Sequence, residues 1–550
     1  MRDSIKQALL VALRSLGIET EDVVIEHPGD LKNGDYASSA ALQYAKQAGM
    51  NPRALAEKIV AVLGSVEGVS KIEIAGPGFI NFYLAPAAAA AQLEEARSED
   101  MWGANESRRG KTVMMEYTDP NPFKEFHIGH LVPNAIGESI SRLLQFSGAD
   151  VKRANYQGDV GIHVAKSIFI LLEKGIIDPT IEDLSAAYPE GSRRYEEDGA
   201  AKTAIDALNK KIYERSDEQV NELYKKGRKL SLEYFEKMYA ILGTTFDFYF
   251  FESKAGPIGA EIVREHPEVF PESEGARIFP GEQYGLHTRV FLNKMGLPTY
   301  EAKEIGLAKL KEEACDFDLT VTITGNEQHE YFRVAMKAME MALPELRGKL
   351  AFKTNGMLRF AEGKMSSRTG NIVRGEDLIN DLAAVAKARA AESRAADPEK
   401  LAQEIAVAAI KFQILRQGVG KDIIFDRERA LSLEGDSGPY LQYAHARTHQ
   451  IVEKAKEAGI VAKIDSASDD LSRLVGRFPE IVEYASEHME PHLLTTYLIA
   501  VASAFNSWYA QEQILDGTPA QAHKVALTDA VRKTLKNGLW ILGIPAPEKM

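Results

Sequence analysis

The chain has 550 residues, of which 45% are hydrophobic and 27% are charged, as in ordinary soluble globular proteins. No apolar run is long enough to span a membrane, and the single cysteine, Cys315, excludes a disulfide framework and a cysteine-rich zinc site. The formal net charge of −14 argues mildly against a nucleic-acid partner without excluding a local basic stripe such as KKGRKL (225–230). A chain of this length predicts about three domains.

Residues 1–97 are predicted to form an α+β domain. The chain opens with an amphipathic helix, whose pattern differs from that of a signal peptide. Two further helical patterns flank Asn51 and Pro52, and KIEIAGPGFINFYL (71–84) predicts two strands around a Pro-Gly turn. The linker-like stretch SEDMWGANESRRGK (98–111) closes this domain.

Residues 110–385 alternate between strand and helix patterns, which predicts an α/β domain with a Rossmann-like parallel sheet. The predicted strands are KTVMMEYT (111–118), VKRANY (151–156), DLTVTITG (318–325) and KLAFKTNGML (349–358). Ligands of such folds bind where the strands lead into helices. Residues 400–550 show long amphipathic helix patterns and predict an all-α bundle.

The segment NPFKEFHIGHL (121–131) follows the first of these strands. Its histidines, His127 and His130, project from one face of a first helical turn, and Gly129 lies between them. Because helix N-terminal amides favour anions, this pattern is typical of a cradle for a triphosphate such as that of ATP. On these four residues alone, a pair of capping or surface histidines is an equally good interpretation.

A second motif, GKMSSRTGN (363–371), carries cations and hydroxyls on a glycine-flanked loop. Such groups suit the stabilisation of a pentavalent α-phosphorus and a departing pyrophosphate, although the motif alone is also compatible with a basic surface turn. HIGH followed by KMSSR in an α/β domain resembles the two signatures of class I aminoacyl-tRNA synthetases.

Longer segments resemble one family of this class, the arginyl-tRNA synthetases. They are MEYTDPNPFKEFHIGHL (115–131), RANYQGDVG (153–161), LGTTFDFYFFES (242–253), GKMSSRTGNIVRGEDLI (363–379), GPYLQYAHAR (438–447), LGIPAPEKM (542–550) and, in the N-terminal domain, NGDYASSAAL (33–42). They follow the family's order over nearly the whole chain. The resemblance implies a catalytic domain at 110–385, an additional tRNA-binding domain at 1–97 and an anticodon-binding domain at 400–550.

The resemblance also implies site residues. For catalysis and ATP they are Lys124, His127, Gly129, His130, His329, Lys364, Met365, Ser366, Ser367 and Arg368. For the substrate arginine they are Glu116, Asn121, Tyr300, Glu304 and Gln328, with Asn326 as the alternative to Gln328. For tRNA they are Asn33, Asp35, Tyr36, Tyr443, Arg447, Trp508, Tyr509 and Met550. For any one of the last five residues, a place in the core is an equally good interpretation.

Two positions depart from common patterns. In TYEAKEIG (299–306), Lys-Glu replaces the family's Arg-Asp, so the acid Glu304 is one methylene longer. Ser367 stands where other class I synthetases have the second lysine of KMSKS. Lys124 matches a lysine that much of the arginyl family places before HIGH, and it would restore the missing charge from the other side of ATP. A plain surface lysine is disfavoured because a positive charge at a helix N-terminus is unfavourable.

The resemblance therefore implies ligation of L-arginine to its cognate tRNA through an arginyl-adenylate, with ATP as substrate and Mg²⁺ as cofactor. We expect a cytoplasmic monomer with no membrane partner and no metal held by protein side chains. A cysteine-specific synthetase would need a zinc cluster that one cysteine does not supply. A cytidylyltransferase would lack the helical domains, and a catalytically silent RNA-binding paralogue is disfavoured by the intact HIGH, Lys124 and KMSSR.

Overall fold

The computed structural model describes residues 1–361, 373–392, 395–465 and 469–550. Lys364, Met365, Ser366, Ser367 and Arg368 of the KMSSR motif lie outside the described residues. The predicted fold class is confirmed, because an α+β unit, a parallel sheet with helices and a helical region follow one another along the chain. None of the helices in the described ranges is long and apolar enough to cross a lipid bilayer.

The N-terminal unit is an antiparallel sheet packed against helices. Its elements are α1 (Arg2–Ser15), β1 (Ile25–Glu26), β2 (Tyr36–Ser38), α2 (Ala40–Tyr44), α3 (Pro52–Leu63), β3 (Val69–Ala75) and β4 (Phe79–Leu84). The strand order is β1-β2-β4-β3, and β3 and β4 form the predicted strand pair. Helix α3 begins at Pro52 because the side chain of Asn51 accepts a hydrogen bond from the amide of Arg53.

The central unit contains the parallel sheet. Its elements are α4 (Pro86–Ser98), β5 (Thr112–Glu116), α5 (Ile128–Phe146), β6 (Asp150–Gln157), α6 (Ile162–Glu173), α7 (Ile181–Glu197), α8 (Gly199–Glu214), α9 (Glu218–Leu242), β7 (Phe248–Phe251), α10 (Glu252–Glu265), β8 (Glu272–Ser273), β9 (Ala276–Phe279), β10 (Arg289–Leu292), α11 (Tyr300–Ala314), β11 (Leu319–Gly325), α12 (His329–Ala342), β12 (Leu350–Asn355) and β13 (Leu358–Phe360). The parallel order is β12-β11-β5-β6-β7. The four predicted strands are present, whereas β7 and the small antiparallel sheet β8–β10 were not predicted from strand patterns.

The C-terminal unit is helical, as predicted, apart from the short strand β14, which pairs with β13. Its elements are α13 (Gly375–Glu392), α14 (Pro398–Leu415), β14 (Ile423–Phe425), α15 (Arg427–Ala430), α16 (Gly438–Glu457), α17 (Asp470–Gly476), α18 (Phe478–His488), α19 (Pro491–Gln511) and α20 (Gln521–Ile541). Helix α4 packs on α17 and α20, so this helix from the predicted N-terminal domain joins the C-terminal core.

Helix α5, which begins in the HIGH motif, lies between the sheet and the helical unit. Its carboxylate Glu138 is 2% exposed and pairs with Arg142 at 2.6 Å and Arg153 at 3.1 Å. The Tyr117 hydroxyl donates to Glu138 at 2.6 Å, and Arg142 donates to the carbonyl oxygen of Trp540 at 3.0 Å. One buried carboxylate therefore ties β5, β6 and α5 together, and its arginine reaches α20.

The N-terminal unit docks on α17 and α18 through a buried polar contact. Arg473 donates to the Asp35 carboxylate at 2.6 Å, and the Tyr36 hydroxyl donates to Glu480 at 2.8 Å. Asp35 and Tyr36 are 7% and 2% exposed. Their polar side-chain atoms are thus used between domains, whereas Asn33 is exposed, and the tRNA contact of all three residues stays a prediction.

We expect Glu138→Ala to lower the free energy of unfolding by about 3–5 kcal/mol, because it leaves two buried arginines without their partner. The midpoint of urea unfolding measures this loss. The matched control is Glu197→Ala, which removes an exposed pair with Arg193 on α7 and should cost less than about 0.5 kcal/mol. Equal effects of the two substitutions would contradict the role given to Glu138.

Candidate active site

A cavity of about 480 Å³ lies at the C-terminal ends of β5, β11 and β12, beside the first turn of α5. Its volume falls in the range of small-molecule pockets. It lies where β5 and β11 adjoin although they are far apart in sequence, which is the usual ligand site of open parallel sheets. Its wall includes the predicted residues Glu116, His127, Gly129, Glu304 and Gln328.

The two HIGH histidines are stacked and cap their own helix. The Nδ1 atom of His127 accepts from the amide of Gly129, and the Nδ1 atom of His130 accepts from the amide of His127, both at 3.1 Å. The rings lie 3.8 Å apart. A Cβ atom on residue 129 would lie 2.8 Å from the His127 ring, so glycine is needed at this position for the stack to form.

Both imidazoles are neutral near pH 7. Burial and the nearby charge of Lys124 lower the pKa of His127 to about 4. Burial, His127 and Lys124 lower the pKa of His130 well below its ordinary value. Because each Nδ1 accepts a backbone hydrogen bond, the proton of each neutral ring lies on Nε2. His127 therefore presents a neutral N–H donor at the cavity wall.

The amides of the first turn of α5 are already used inside the protein. The Ile128 amide donates to the carbonyl oxygen of Val373 at 3.1 Å, and the Gly129 amide donates to His127. The predicted anion-binding amides are thus satisfied, and the imidazole Nε2–H groups are the donors that remain for a ligand. Gly375 also donates to Phe126 at 2.8 Å, so the described residues that follow the KMSSR motif are fixed to the HIGH turn.

The loop between β5 and α5 is held in an uncommon backbone conformation. Thr118, Asp119 and Phe123 have φ values of 81°, 46° and 65°. Asn134 donates to the Thr118 hydroxyl at 3.0 Å, and the Asp119 carboxylate accepts from the amide of Tyr156 at 2.8 Å. Such strain persists only where surrounding contacts determine it, and it is common at functional sites.

The floor of the cavity is acidic. Glu116, Asp119 and Glu304 line it, and Lys311 forms a close ion pair with Glu116, without hydrogen-bond geometry. Burial and the charge of Glu116 raise the pKa of Glu304 to about 8, against the opposing effect of Lys311. Burial and Glu116 also raise the pKa of Asp119 well above its ordinary value. Three carboxyl groups face one ammonium, so the floor favours a cationic ligand.

Of the remaining residues predicted for the pocket, some line the cavity and others do not. Gln328 lines the cavity, whereas Asn326 donates to the carbonyl oxygen of Gly420 at 2.7 Å, so the geometry favours Gln328. The side-chain oxygen of Asn121 accepts from the amide of Gly158 at 3.0 Å, and Asn121 is not among the residues that line the cavity. Tyr300 is 70% exposed, and His329 is exposed and pairs with Glu330.

Lys124 lies beside the HIGH turn and is partly buried. Its ammonium nitrogen is 4.9 Å from the centre of the Tyr188 ring on α7. Besides burial, its charge lowers the pKa of His127, His130 and His163. A mobile cation on this side of the cavity is chemically suited to an anionic ligand.

Comparison with known proteins relates this site to a family. Residues 92–427 match the family model described as "tRNA synthetases class I (R), catalytic domain". Residues 1–84 match the model of the arginyl tRNA synthetase N terminal domain, and residues 441–550 match the model of the DALR anticodon binding domain. The arginine–tRNA ligase of Clostridium beijerinckii is 31% identical over 97% of both chains. The chain belongs to the arginyl-tRNA synthetase family.

Further relatives of this family agree over the full length. The arginine–tRNA ligase of Pseudomonas fluorescens is 30% identical and covers 100% of both chains. The solved structure of Thermus thermophilus arginyl-tRNA synthetase is 25% identical, with a TM-score of 0.83 over 100% of both chains.

Three of the residues that the family resemblance assigns to tRNA form one cluster in the C-terminal unit. The guanidinium of Arg447 lies 4.7 Å from the Tyr443 ring and 4.9 Å from the Tyr509 ring, and Tyr509 is 40% exposed. Trp508 and Met550 are partly buried and pack on the C-terminal core. By contrast, the basic run 225–230 is paired with acidic neighbours, as a solvated helix face would be.

Several site residues were missed from the sequence. Asp119 lies three residues after the end of β5, and Lys311 lies seven residues after Glu304, hence on the same face of α11. The position of Lys311, two helical turns after the predicted pocket acid Glu304, could have indicated from the sequence that it lies near the site. Tyr188 lies far along the chain in α7, and its contact with Lys124 had no sequence signal.

We expect the His127→Asn variant to lose less stability in acid than the wild type. The pKa of His127 is lowered from 6.5 to about 4, so the unfolded chain binds more protons and the wild type loses stability as the pH falls through this window. Asparagine keeps the capping acceptor without titrating, which should reduce the loss between pH 7 and pH 5 by about 1–2 kcal/mol. Urea midpoints at the two pH values measure this difference.

The exposed His329→Asn is the control and should keep the wild-type pH dependence. An acid-induced loss in His127→Asn equal to that of the wild type would show that His127 titrates normally.

Proposed function

We propose that the chain ligates L-arginine to its cognate tRNA in two steps that consume ATP, through an arginyl-adenylate. The observation that carries this proposal is one cavity with an acidic floor, with the neutral imidazole of His127 in its wall and Lys124 beside the HIGH turn. The acidic floor suits a guanidinium, and the donors and the lysine suit a triphosphate. Membership in the arginyl-tRNA synthetase family supports the same assignment.

In the first step, a carboxylate oxygen of arginine attacks the α-phosphorus of ATP. The bond from that phosphorus to the bridging oxygen breaks, and pyrophosphate leaves with the electron pair. The Nε2–H of His127 and the ammonium of Lys124 stabilise the charge that develops on the phosphates. In the second step, a hydroxyl of the terminal ribose of tRNA attacks the acyl carbon, and AMP leaves. No covalent intermediate with the protein is needed.

The guanidinium of the substrate would lie on the floor of the cavity, against Glu116 and Glu304, with Gln328 beside it. A planar guanidinium with five donors matches carboxylates better than an ammonium does, which favours arginine over lysine. Asn121 and Tyr300 remain predictions from the family resemblance, as do His329 and the five residues of the KMSSR motif.

Mg²⁺ would enter as a complex with ATP and supply charge neutralisation at the phosphates. Among the described residues, no group of three or more His, Cys, Asp or Glu side chains is arranged to hold a metal ion, so the phosphates themselves would provide most of its ligands. We further propose that the protein acts as a cytoplasmic monomer.

The helical unit would bind the anticodon arm of tRNA. The cluster of Tyr443, Arg447 and Tyr509 offers aromatic and guanidinium surfaces on which splayed bases can stack. The tRNA contacts of Trp508 and Met550, and those of Asn33, Asp35 and Tyr36 in the N-terminal unit, remain predictions from the family resemblance.

Charging assays with radiolabelled amino acids test the proposed function. The purified protein should attach arginine to tRNA in an ATP-dependent reaction, and pyrophosphate exchange should depend on arginine, measured with and without tRNA. Lysine carries the same charge without the guanidinium plane and is the matched control substrate. Charging with lysine or cysteine at a comparable rate would refute the assignment.

We expect Lys124→Ala to slow arginyl-adenylate formation by ~10²–10³-fold, because one electrostatic donor to the phosphates is lost. The KM for arginine and the thermal stability should change little. Lys166→Ala is the matched control, since Lys166 on the adjacent α6 also lies over a tyrosine ring, 4.7 Å from Tyr195. Near-normal activity of Lys124→Ala would make Lys124 a surface residue.

A further inference from the structure

Lys311 is a buried cation with no role in the steps above. It is 4% exposed on α11, and its ammonium pairs with Oε2 of Glu116 at the end of β5. Glu116 is itself 2% exposed, so both charges are removed from water. A carboxylate buried without a cation would become neutral, and a buried ammonium would lose its proton. Each group therefore compensates the buried charge of the other.

The ammonium supports Glu116 from behind and leaves the ligand space free. Glu116 lines the main cavity, whereas Lys311 lines a separate void of about 20 Å³ beside it, with Thr320 and Thr322. That void has room for about one water molecule and not for a substrate side chain. The ion pair with Lys311 is made at Oε2 without hydrogen-bond geometry, so the carboxylate of Glu116 keeps acceptor capacity for a ligand.

Lys311 also affects the second acid of the floor. Glu304 lies seven residues earlier on the same face of α11, and both residues line the small void. The groups that act on Glu304 are Glu116, Asp119, Glu252, Glu301, Lys311, Tyr156 and Tyr331. In this set Lys311 is the cation, and it lowers the pKa of both Glu304 and Asp119.

We propose that Lys311 is a positioning residue of the arginine site, which balances the charge of Glu116, holds its carboxylate at the cavity and thereby sets the affinity for the guanidinium. This inference rests on the proposed function. Lys311 acts through Glu116 and Glu304 and does not touch the substrate. Its removal should therefore weaken arginine binding and leave ATP binding unchanged.

The pH dependence of arginine binding follows from the same groups. A bound guanidinium favours ionised carboxylates, so arginine binding releases a proton from Glu304, whose pKa is raised to about 8 in the free site. Affinity for arginine should fall as the pH is lowered below this value. Without Lys311 the pKa values of Glu304 and Asp119 rise further, and the fall in affinity begins at a higher pH.

The experiment compares Lys311→Met with Lys311→Arg and Lys309→Met in arginine charging of tRNA between pH 6.5 and 9. We expect Lys311→Met to raise the KM for arginine about 10- to 100-fold at pH 7.5, to shift its pH dependence upward, and to leave the KM for ATP within about twofold. Lys311→Arg should restore most of the affinity. Lys309→Met breaks an outer pair with Glu312 on the same helix, 2.7 Å long, and should behave as wild type.

A double variant separates positioning from a general effect on folding. If Lys311 acts chiefly through Glu116, Lys311→Met should raise the KM for arginine by a clearly smaller factor in a Glu116→Gln background than in the wild type, because the carboxylate that pairs with Lys311 is absent there and only the effect on Glu304 and Asp119 remains. The double variant replaces both members of the ion pair with neutral residues, so neither Glu116 nor Lys311 is left as a buried charge without its partner. Its KM can therefore be measured even if Lys311→Met alone fails to fold. A full further loss in that background would overturn the inference.

Charging of tRNA by the wild-type protein tests the proposed function separately from the role of Lys311. If it charges an amino acid other than arginine, the proposed function fails whatever Lys311 does. If wild-type arginine charging is normal and Lys311→Met keeps the wild-type KM and pH profile, only the role of Lys311 is overturned.

Discussion

The buried carboxylate of Glu138 is the contact on which the geometry of the site depends. It holds Arg142 and Arg153 inside the protein and accepts the hydroxyl of Tyr117. These partners come from β6, from α5 itself and from the loop after β5, which are the elements that place the cavity. A charge network of this kind has few alternative arrangements, because breaking any member leaves a buried group without a partner.

The same helix connects the catalytic turn to the end of the chain. Arg142 donates to Trp540, and the fully buried Lys411 of α14 donates to the carbonyl oxygens of Leu242 and Gly543, the latter at 2.8 Å. Burial and the charge of Arg142 lower the pKa of Lys411 to about 7. Any movement of the C-terminal helices relative to the sheet must therefore break hydrogen bonds that hold α5, whose first turn is HIGH.

The extent to which the sequence predicts this protein differs between its parts. Strands β5 and β11 consist largely of apolar or β-branched residues, and the alternation of the four predicted strands with helices was sufficient to predict the parallel sheet. Strand β7 spans only the four residues Phe248–Phe251, which is too short for the alternation of apolar and polar residues to indicate a strand. The histidine pair and the pocket acids were placed by their motifs, because a motif fixes both residue type and position on the turn.

Long-range polar contacts account for what the sequence did not indicate. Asp35 and Tyr36 belong to a segment that resembles a tRNA-binding motif, yet their polar atoms contact Arg473 and Glu480 more than 400 positions away. Nothing local distinguishes an aspartate that meets a nucleic acid from one that meets an arginine of another domain.

The pocket shows the same limitation on a smaller scale. Glu116 and Glu304 could be identified as acids for a guanidinium, but the charge state of the floor depends on Lys311, which reaches Glu116 only after α11 has packed beside β5. The acidic floor and the cationic side near Lys124 thus arise from the fold, and under the proposed function the floor would take the cationic side chain and the side near Lys124 the phosphates. The distribution of charge in the cavity, rather than the net charge of −14, decides which ligands it favours.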